Sequence, residues 1–292
     1  MDKLIIEARI NEYADRSRNP HVPWTPEEIA ETAAQCGEAG AAVVHFHARD
    51  ARGGPDHGAG TNRDIIARIR ARSDILVHPT LGAFTHAGDA AARIAPLLAL
   101  AADPATRPDL APLDMGSANV DAYDPEQRRF LSTEAVYVNS TATLLHFAER
   151  LAEARIKPYA VCWTLGFTRQ LLAFVDMGAI AEPVYLCFVL TGDRLPAGHP
   201  CTPAGLDAHL AGLPGDRAIH WTLCCHGGNL LDLAPRVIAA GGHLSIGLGD
   251  WPHAELGAPT NAELVARVAE LARRQGRGIA TPAEARALLG MD

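Results

Sequence analysis

Positive charge is scarce in this chain: 26 Lys and Arg stand against 34 Asp and Glu, a formal net charge of −8. No basic run interleaved with aromatics occurs, which excludes a continuous track for a nucleic-acid backbone. Long apolar runs are missing too, and nothing approaches the ~18 consecutive apolar residues that a membrane-spanning helix needs. The start, Met1-Asp2-Lys3 then Leu4-Ile5-Ile6-Glu7, meets charge too soon for a signal peptide. Cysteines are few: Cys36, Cys162, Cys187, Cys201, Cys224 and Cys225, with the one close pair adjacent. That spacing is neither a disulfide framework nor a CxxC zinc motif, so a reducing cytoplasm is the expected compartment. No GxGxxG follows the first apolar run and no Walker lysine motif occurs, which removes the commonest nucleotide-binding folds.

What the chain has in quantity is apolar residue, 48% against 21% charged. A compact chain of this size hides roughly 75% of its unfolded surface, so a packed core is expected rather than disorder. Eight β-branched, apolar runs recur: 4–10, 41–47, 75–80, 110–116, 157–162, 184–190, 218–224 and 243–248. Helix signals separate them. Thr25-Pro26-Glu27-Glu28 reads as an N-cap, a proline at the first helical position and a reciprocal capping glutamate. Thr260-Asn261-Ala262-Glu263 and Thr281-Pro282-Ala283-Glu284 repeat that logic, and Leu264, Val268 and Leu271 recur at helical spacing. Strand and helix alternating eight times predicts an α/β fold, a (β/α)8 TIM barrel forming one domain over residues 1–292 with a C-terminal helical extension.

Barrel enzymes carry their chemistry at the carboxyl ends of the strands. The second run ends Val43-Val44-His45-Phe46-His47-Ala48-Arg49-Asp50. With Val44 and Phe46 packed outward, His45 and His47 share the inward face. Two neutral imidazoles so placed can hold one divalent ion at ~2.0–2.1 Å each; two hydrogen-bonded histidines beside a cleft are the competing reading. The same alternation turns Glu7, Arg9 and Asn11 inward on the first strand. A buried carboxylate is costly unless paired or metal-bound, so Glu7 is the expected third ligand, against a simple Glu7–Arg9 ion pair. Glu12 and His226 are the alternatives for that ligand; His226 shares a strand face with His220, Thr222 and Cys224. Asp250 in Gly247-Leu248-Gly249-Asp250 is the candidate general base. Thr80 and Ser117, ending the third and fourth strands, are candidate donors to a substrate oxygen, and Arg49 is placed to hold a carboxylate bidentately. Glu12 is grouped with Arg49 for substrate binding.

These residues resemble the β-keto acid cleavage enzymes, whose founding activity is 3-keto-5-aminohexanoate cleavage. The resemblance runs through Asn19-Pro20-His21-Val22-Pro23-Trp24-Thr25-Pro26-Glu27-Glu28 and Gly40-Ala41-Ala42-Val43-Val44-His45-Phe46-His47-Ala48-Arg49-Asp50. It continues through Gly241-Gly242-His243, Gly247-Leu248-Gly249-Asp250 and Thr260-Asn261-Ala262-Glu263, and closes on Gly278-Ile279-Ala280-Thr281-Pro282-Ala283-Glu284. It implies a barrel binding zinc through His45 and His47, with Asp250 as base and hydroxyls at Thr80 and Ser117. It also implies condensation of a β-keto acid with acetyl-CoA to give acetoacetate and a new acyl-CoA. Two positions depart: Gly249 stands where the family has its zinc glutamate, and Ser245 where it has the arginine that partners the aspartate. Strand eight neighbours strand one in a closed barrel, so the expectation is that Glu7 and Arg9 supply the carboxylate and guanidinium from one strand over. Thr191-Gly192-Asp193-Arg194 lacks the family's glycine-rich run near the CoA site.

The sequence thus predicts a metal-dependent enzyme cleaving a small β-keto acid, with zinc or another divalent transition metal and acetyl-CoA as co-substrate. A homo-oligomer with no nucleic-acid or membrane partner is expected. The rivals are a metal hydrolase of the amidohydrolase kind, which needs further histidines on later strands, and a metabolite-binding barrel that has lost catalysis.

Overall fold

The computed structural model describes residues 2–81 and 89–291. All eight apolar runs form parallel strands: β1 (Ile6–Arg9), β2 (Val43–Phe46), β3 (Leu76–Pro79), β4 (Leu110–Asp114), β5 (Lys157–Cys162), β6 (Val184–Thr191), β7 (Ile219–His226) and β8 (His243–Ile246). Between and after them lie α1 (Pro26–Ala39), α2 (Ala59–Arg70), α3 (Ala90–Ala101), α4 (Thr141–Glu153), α5 (Leu165–Asp176), α6 (Pro203–Leu210), α7 (Ala234–Ala239), α8 (Asn261–Arg274) and α9 (Pro282–Leu288). Strands pair in the order β3-β2-β1-β8-β7-β6-β5-β4. The fold is a (β/α)8 barrel. Among the described residues no helix is long and apolar enough to cross a membrane.

Local signals set the helix ends. Thr25, Thr260 and Thr281 each cap a helix through a complete box with Glu28, Glu263 and Glu284. Each box satisfies two backbone donors that the first turn leaves without partners. The outward faces of the strands, Val44 and Phe46 among them, are fully buried. Burying side chains of that size stabilises the fold by about 1.5–3 kcal/mol each.

Ring closure between β3 and β4 depends on one side chain. The Asp109 N–H donates to the Val77 carbonyl at 2.9 Å, and Asp109 Oδ2 accepts from the Val77 N–H at 2.8 Å. Arg70 donates to the same carboxylate at 3.1 Å, and Arg286 from α9 donates to its other oxygen. Asp109→Ala leaves a buried N–H and two guanidiniums without their acceptor, so a loss of about 3 kcal/mol is expected. Urea unfolding checks it; a variant within about 0.5 kcal/mol of the parent, the scatter of ordinary surface substitutions, would show that the ring closes without this carboxylate.

The barrel interior is polar at mid-height. Glu7 Oε1 accepts from His78 Nδ1 at 2.7 Å, and Oε2 accepts from the Tyr159 and Ser245 hydroxyls at 2.7 and 2.5 Å. Burial alone would raise the Glu7 carboxyl, but the hydrogen bond and charge of His78, with His45 and Arg9, hold it at about 2. Burial pushes the His78 ring down to about 4. At neutral pH the pair is therefore a carboxylate accepting from an uncharged ring.

Candidate active site

The site is assembled where β1, β2 and β8 end. Register pairs Arg9 with His45 and Glu7 with Ser245, so the inward faces of the three strands align. Asn11 clips the rims of β1 and β2 together: its Nδ2 donates to the His47 carbonyl at 2.9 Å and its Oδ1 accepts the His47 N–H at 2.8 Å. The next residue, Glu12, has φ of 36°, a conformation that side chains larger than glycine rarely adopt. Arg49 pins that bend by donating to the carbonyls of Asn11, Glu12 and Ala14, and it also reaches Gly53.

The bend swings the Glu12 carboxylate onto the two histidines. Oε1 lies 3.0 Å from His45 Nε2 and Oε2 lies 2.8 Å from His47 Nε2. The three donor atoms stand within 4.8 Å of one another, and all three residues are buried. Space for this carboxylate exists because position 249 is glycine. A Cβ there would stand 2.5 Å from Glu12 Cγ and 2.8 Å from Glu12 N.

Protonation decides what this trio can hold. His45 Nδ1 lies 2.8 Å from the His78 carbonyl; a carbonyl only accepts, so Nδ1 carries a proton and Nε2 is the ring atom turned to Glu12. Burial pushes His47 down to about 4. Burial opposes the Glu12 anion too, but Arg9 and the two rings hold its carboxyl well below the usual range. His45 Nε2 and His47 Nε2 thus each face an oxygen of the same carboxylate, at 3.0 and 2.8 Å, and a cation among them would draw on all three ligands. Tetrahedral ligands at ~2.0–2.1 Å from an ion are about 3.3 Å apart, close to these spacings. The donor set fits a divalent transition metal.

A charged chain runs on from this trio. Arg9 reaches Glu12 Oε1 at 2.7 Å through one terminal nitrogen and Asp250 Oδ2 at 2.8 Å through Nε. Asp250 Oδ1 meets His226 Nδ1 at 3.1 Å. Burial would hold the His226 ring down, but its hydrogen bond to Asp250 and the charges of Asp250 and Glu12 together raise its pKa. A cavity of about 410 Å³ opens over these groups, with His45, His47, His78, Thr80 and Arg9 on one side.

Several expectations are corrected. Glu7 is not the carboxylate at the histidine pair: it is held below, on His78, Tyr159 and Ser245. Glu12 is not free for substrate, because its carboxylate occupies that place between the rings. Arg49 does not face the cavity as a carboxylate clamp, since backbone carbonyls of the β1 and β2 loops take up its guanidinium. Ser117 is exposed and accepts the Asn139 N–H at 2.8 Å; β4 ends three residues before it, and Asp114 reaches the cavity instead. His226 lies beside Asp250 rather than in the trio. The structure does bring His45 and His47 together, sets Arg9 against Asp250, and puts Thr80 on the cavity wall. Sequence reasoning missed His78, Asp114, Tyr137 and Trp163. For the first two a signal existed, because His78 precedes Thr80 by two and Asp114 follows Pro112 by two on their strands.

The profile of the beta-keto acid cleavage enzyme family matches residues 3–291. A 3-keto-5-aminohexanoate cleavage enzyme of Fusobacterium nucleatum subsp. nucleatum is 30% identical over 295 residues, covering 100% of this chain and 99% of its own. A 3,5-dioxohexanoate:acetyl-CoA acetone transferase of Paraburkholderia graminis is 28% identical over 295 residues, covering 94% of this chain and 90% of its own. Among solved structures, the ternary complex of ObcA with C4-CoA adduct and oxalate superposes with a TM-score of 0.71. It covers 93% of this chain and 68% of that one at 16% identity, a likeness of fold. With a match over nearly its whole length, this chain belongs to the beta-keto acid cleavage enzyme family.

Proposed function

We propose that this enzyme transfers the CH2–COO⁻ unit of a small β-keto acid to the acetyl group of acetyl-CoA, releasing acetoacetate and a new acyl-CoA. The observation that carries this reading is the Glu12–His45–His47 trio on the cavity lining, joined through Arg9 to the buried Asp250. Family membership and the acetyl-CoA transferase among its relatives support the reaction class.

Glu12, His45 and His47 would hold the ion, zinc foremost. When bound, a divalent ion supplies Lewis acidity to the keto oxygen and to the enolate charge. Asp250 takes the α-proton, held in place by Arg9 on one oxygen and His226 on the other. The resulting carbanion forms a bond to the thioester carbon, and the thiolate leaves. That thiolate then attacks the original keto carbon, the C–C bond breaks, and Asp250 returns its proton to acetoacetate. Thr80 on the cavity wall donates its hydroxyl to a substrate oxygen.

The hydrolase rival draws no support from the cluster, because among the described residues no further histidine joins Glu12, His45 and His47. The lost-catalysis rival rested on Gly249 and Ser245. Glu12 fills the space against Gly249, and Arg9 makes the contact to Asp250. Metal-loaded protein incubated with acetyl-CoA and a panel of β-keto acids is expected to form acetoacetate, and a His45→Ala, His47→Ala double variant is not. Equal acetoacetate from the two proteins would defeat the mechanism.

A further inference from the structure

Asp250 is poorly placed to meet a substrate by itself. Its carboxylate is only 5% exposed, against 36% for the His226 side chain. His226 lines the cavity, and Asp250 is not among the described residues that do. Both Asp250 oxygens are engaged: Oδ2 is buried 2.8 Å from Arg9 Nε, and Oδ1 lies 3.1 Å from His226 Nδ1. The imidazole ring thus joins the carboxylate to the cavity.

Local structure fixes that placement. His226 is the last residue of β7, at the strand end where a barrel carries its chemistry. The Gly192 N–H after β6 donates to the His226 carbonyl at 2.8 Å, and the Gly227 N–H donates to the Asp250 carbonyl at 2.9 Å. This approach requires glycine at 192, because a Cβ there would stand 2.1 Å from the Gly227 carbonyl oxygen. A carboxylate oxygen only accepts, so His226 Nδ1 carries the proton of its contact with Asp250. In the uncharged ring the lone pair is then on Nε2, the nitrogen left for a molecule in the cavity. Burial opposes a charge on this ring, but the hydrogen bond to Asp250 and the charges of Asp250 and Glu12 outweigh it, against Arg9, and raise its pKa. A carboxylate behind an imidazole orients the ring and stabilises the imidazolium that forms when it accepts a proton.

We propose that His226 Nε2 is the atom that removes the α-hydrogen, with Asp250 behind it orienting the ring and holding its charge, so that the two act as one base. The proposal rests on the keto acid reading of the site and refines its first step. The C–H bond breaks, an N–H bond forms at Nε2, and the electron pair stays on carbon as the enolate. Nδ1 keeps its hydrogen bond to Asp250 throughout. The proton that Asp250 takes in the reaction above is thus held by the pair, on the histidine side, and Nε2 returns it to acetoacetate.

Exchange of α-hydrogens for deuterium reads this step alone, with metal-loaded protein and a panel of β-keto acids in deuterated buffer without acetyl-CoA. His226→Asn keeps an amide N–H near the Nδ1 position, able to donate to Asp250, and removes Nε2. Exchange is expected to fall by about 1,000-fold, within the range that a general base supplies. Metal content should not change, because the Glu12–His45–His47 trio does not include His226. A parental exchange rate in His226→Asn would show that Asp250 reaches the carbon without the ring, and it overturns the assignment. Should His226→Asn fail to fold, His226→Gln takes its place with the same expectation. His226→Gly adds a readout that a purely structural role would not move. Free imidazole in the buffer is expected to restore its exchange in proportion to concentration, by at least about tenfold; a rate that imidazole leaves unchanged overturns the assignment as well. A parent that neither exchanges α-hydrogens nor forms acetoacetate fails the reaction reading itself, and the assignment falls with it. An exchanging parent beside an unaffected His226→Asn fails the assignment alone.

Discussion

Replacing Glu12 by alanine is expected to abolish binding of the proposed metal ion and to lower acetoacetate formation by about 1,000-fold, since a general acid–base or electrostatic group of this kind supplies about 100-fold to 10,000-fold. Even partners that only orient a metal ligand cost 10–100-fold in affinity, so a carboxylate that ligates directly should exceed about 100-fold. The geometry behind the expectation is specific. Glu12 places one oxygen 3.0 Å from His45 Nε2 and the other 2.8 Å from His47 Nε2. Metal content after dialysis, and competition with a chromophoric chelator, read the loss directly. Glu7→Ala is the contrasting variant. Its carboxylate serves His78, Tyr159 and Ser245 inside the barrel, so it should keep metal stoichiometry while unfolding more easily, by about 3 kcal/mol for a broken buried pair. Full metal affinity in Glu12→Ala, or metal loss in Glu7→Ala, would return the ligand role to Glu7.

Those two glutamates mark the limit of what the sequence alone discloses. Strand alternation gives Glu7 and Arg9 as inward residues, and it pairs His45 with His47 for the same reason, whereas Asn11 turns to the backbone of the β2 rim. The eight strands are legible because β-branched runs are long enough to override local ambiguity, and the capping boxes mark three helix starts. Glu12 is out of phase with that alternation. It reaches the histidines only because the chain bends to a positive φ immediately after β1 and Arg49 holds the bent carbonyls. Neither the bend nor its clamp has a sequence signature, since arginine beside a strand end reads equally well as a substrate clamp. Gly249 is the reciprocal half of the arrangement, and its meaning appears only when a side chain built there runs into Glu12. Ser117 failed for a different reason: the predicted fourth strand overran its true end, and the residue facing the cavity was the aspartate inside the run.

Arg9 of β1 holds one oxygen of Asp250, and Asp250→Asn tests what that carboxylate does. The carboxylate is only 5% exposed, with Arg9 on one oxygen and His226 on the other. Asparagine preserves the size and one acceptor but cannot take a proton at neutral pH. The Glu12–His45–His47 trio does not include Asp250, so metal content should be unchanged while kcat falls by about 1,000-fold, within the range for a lost general base. A second readout separates proton abstraction from mere distortion. In deuterated buffer without acetyl-CoA, the parent should wash the α-hydrogens of a β-keto acid out into solvent faster than the uncatalysed rate, and Asp250→Asn should not. Exchange at the parental rate in the variant would remove Asp250 from the role of base. Arg9→Ala should be worse than either single loss predicts, because one guanidinium neutralises both Glu12 and Asp250, and residues sharing a partner do not add. Its removal leaves two buried carboxylates facing each other across the space it filled. Metal retention and proton exchange should therefore fail together in that variant, as in Glu12→Ala, whereas Asp250→Asn keeps the metal and loses exchange alone.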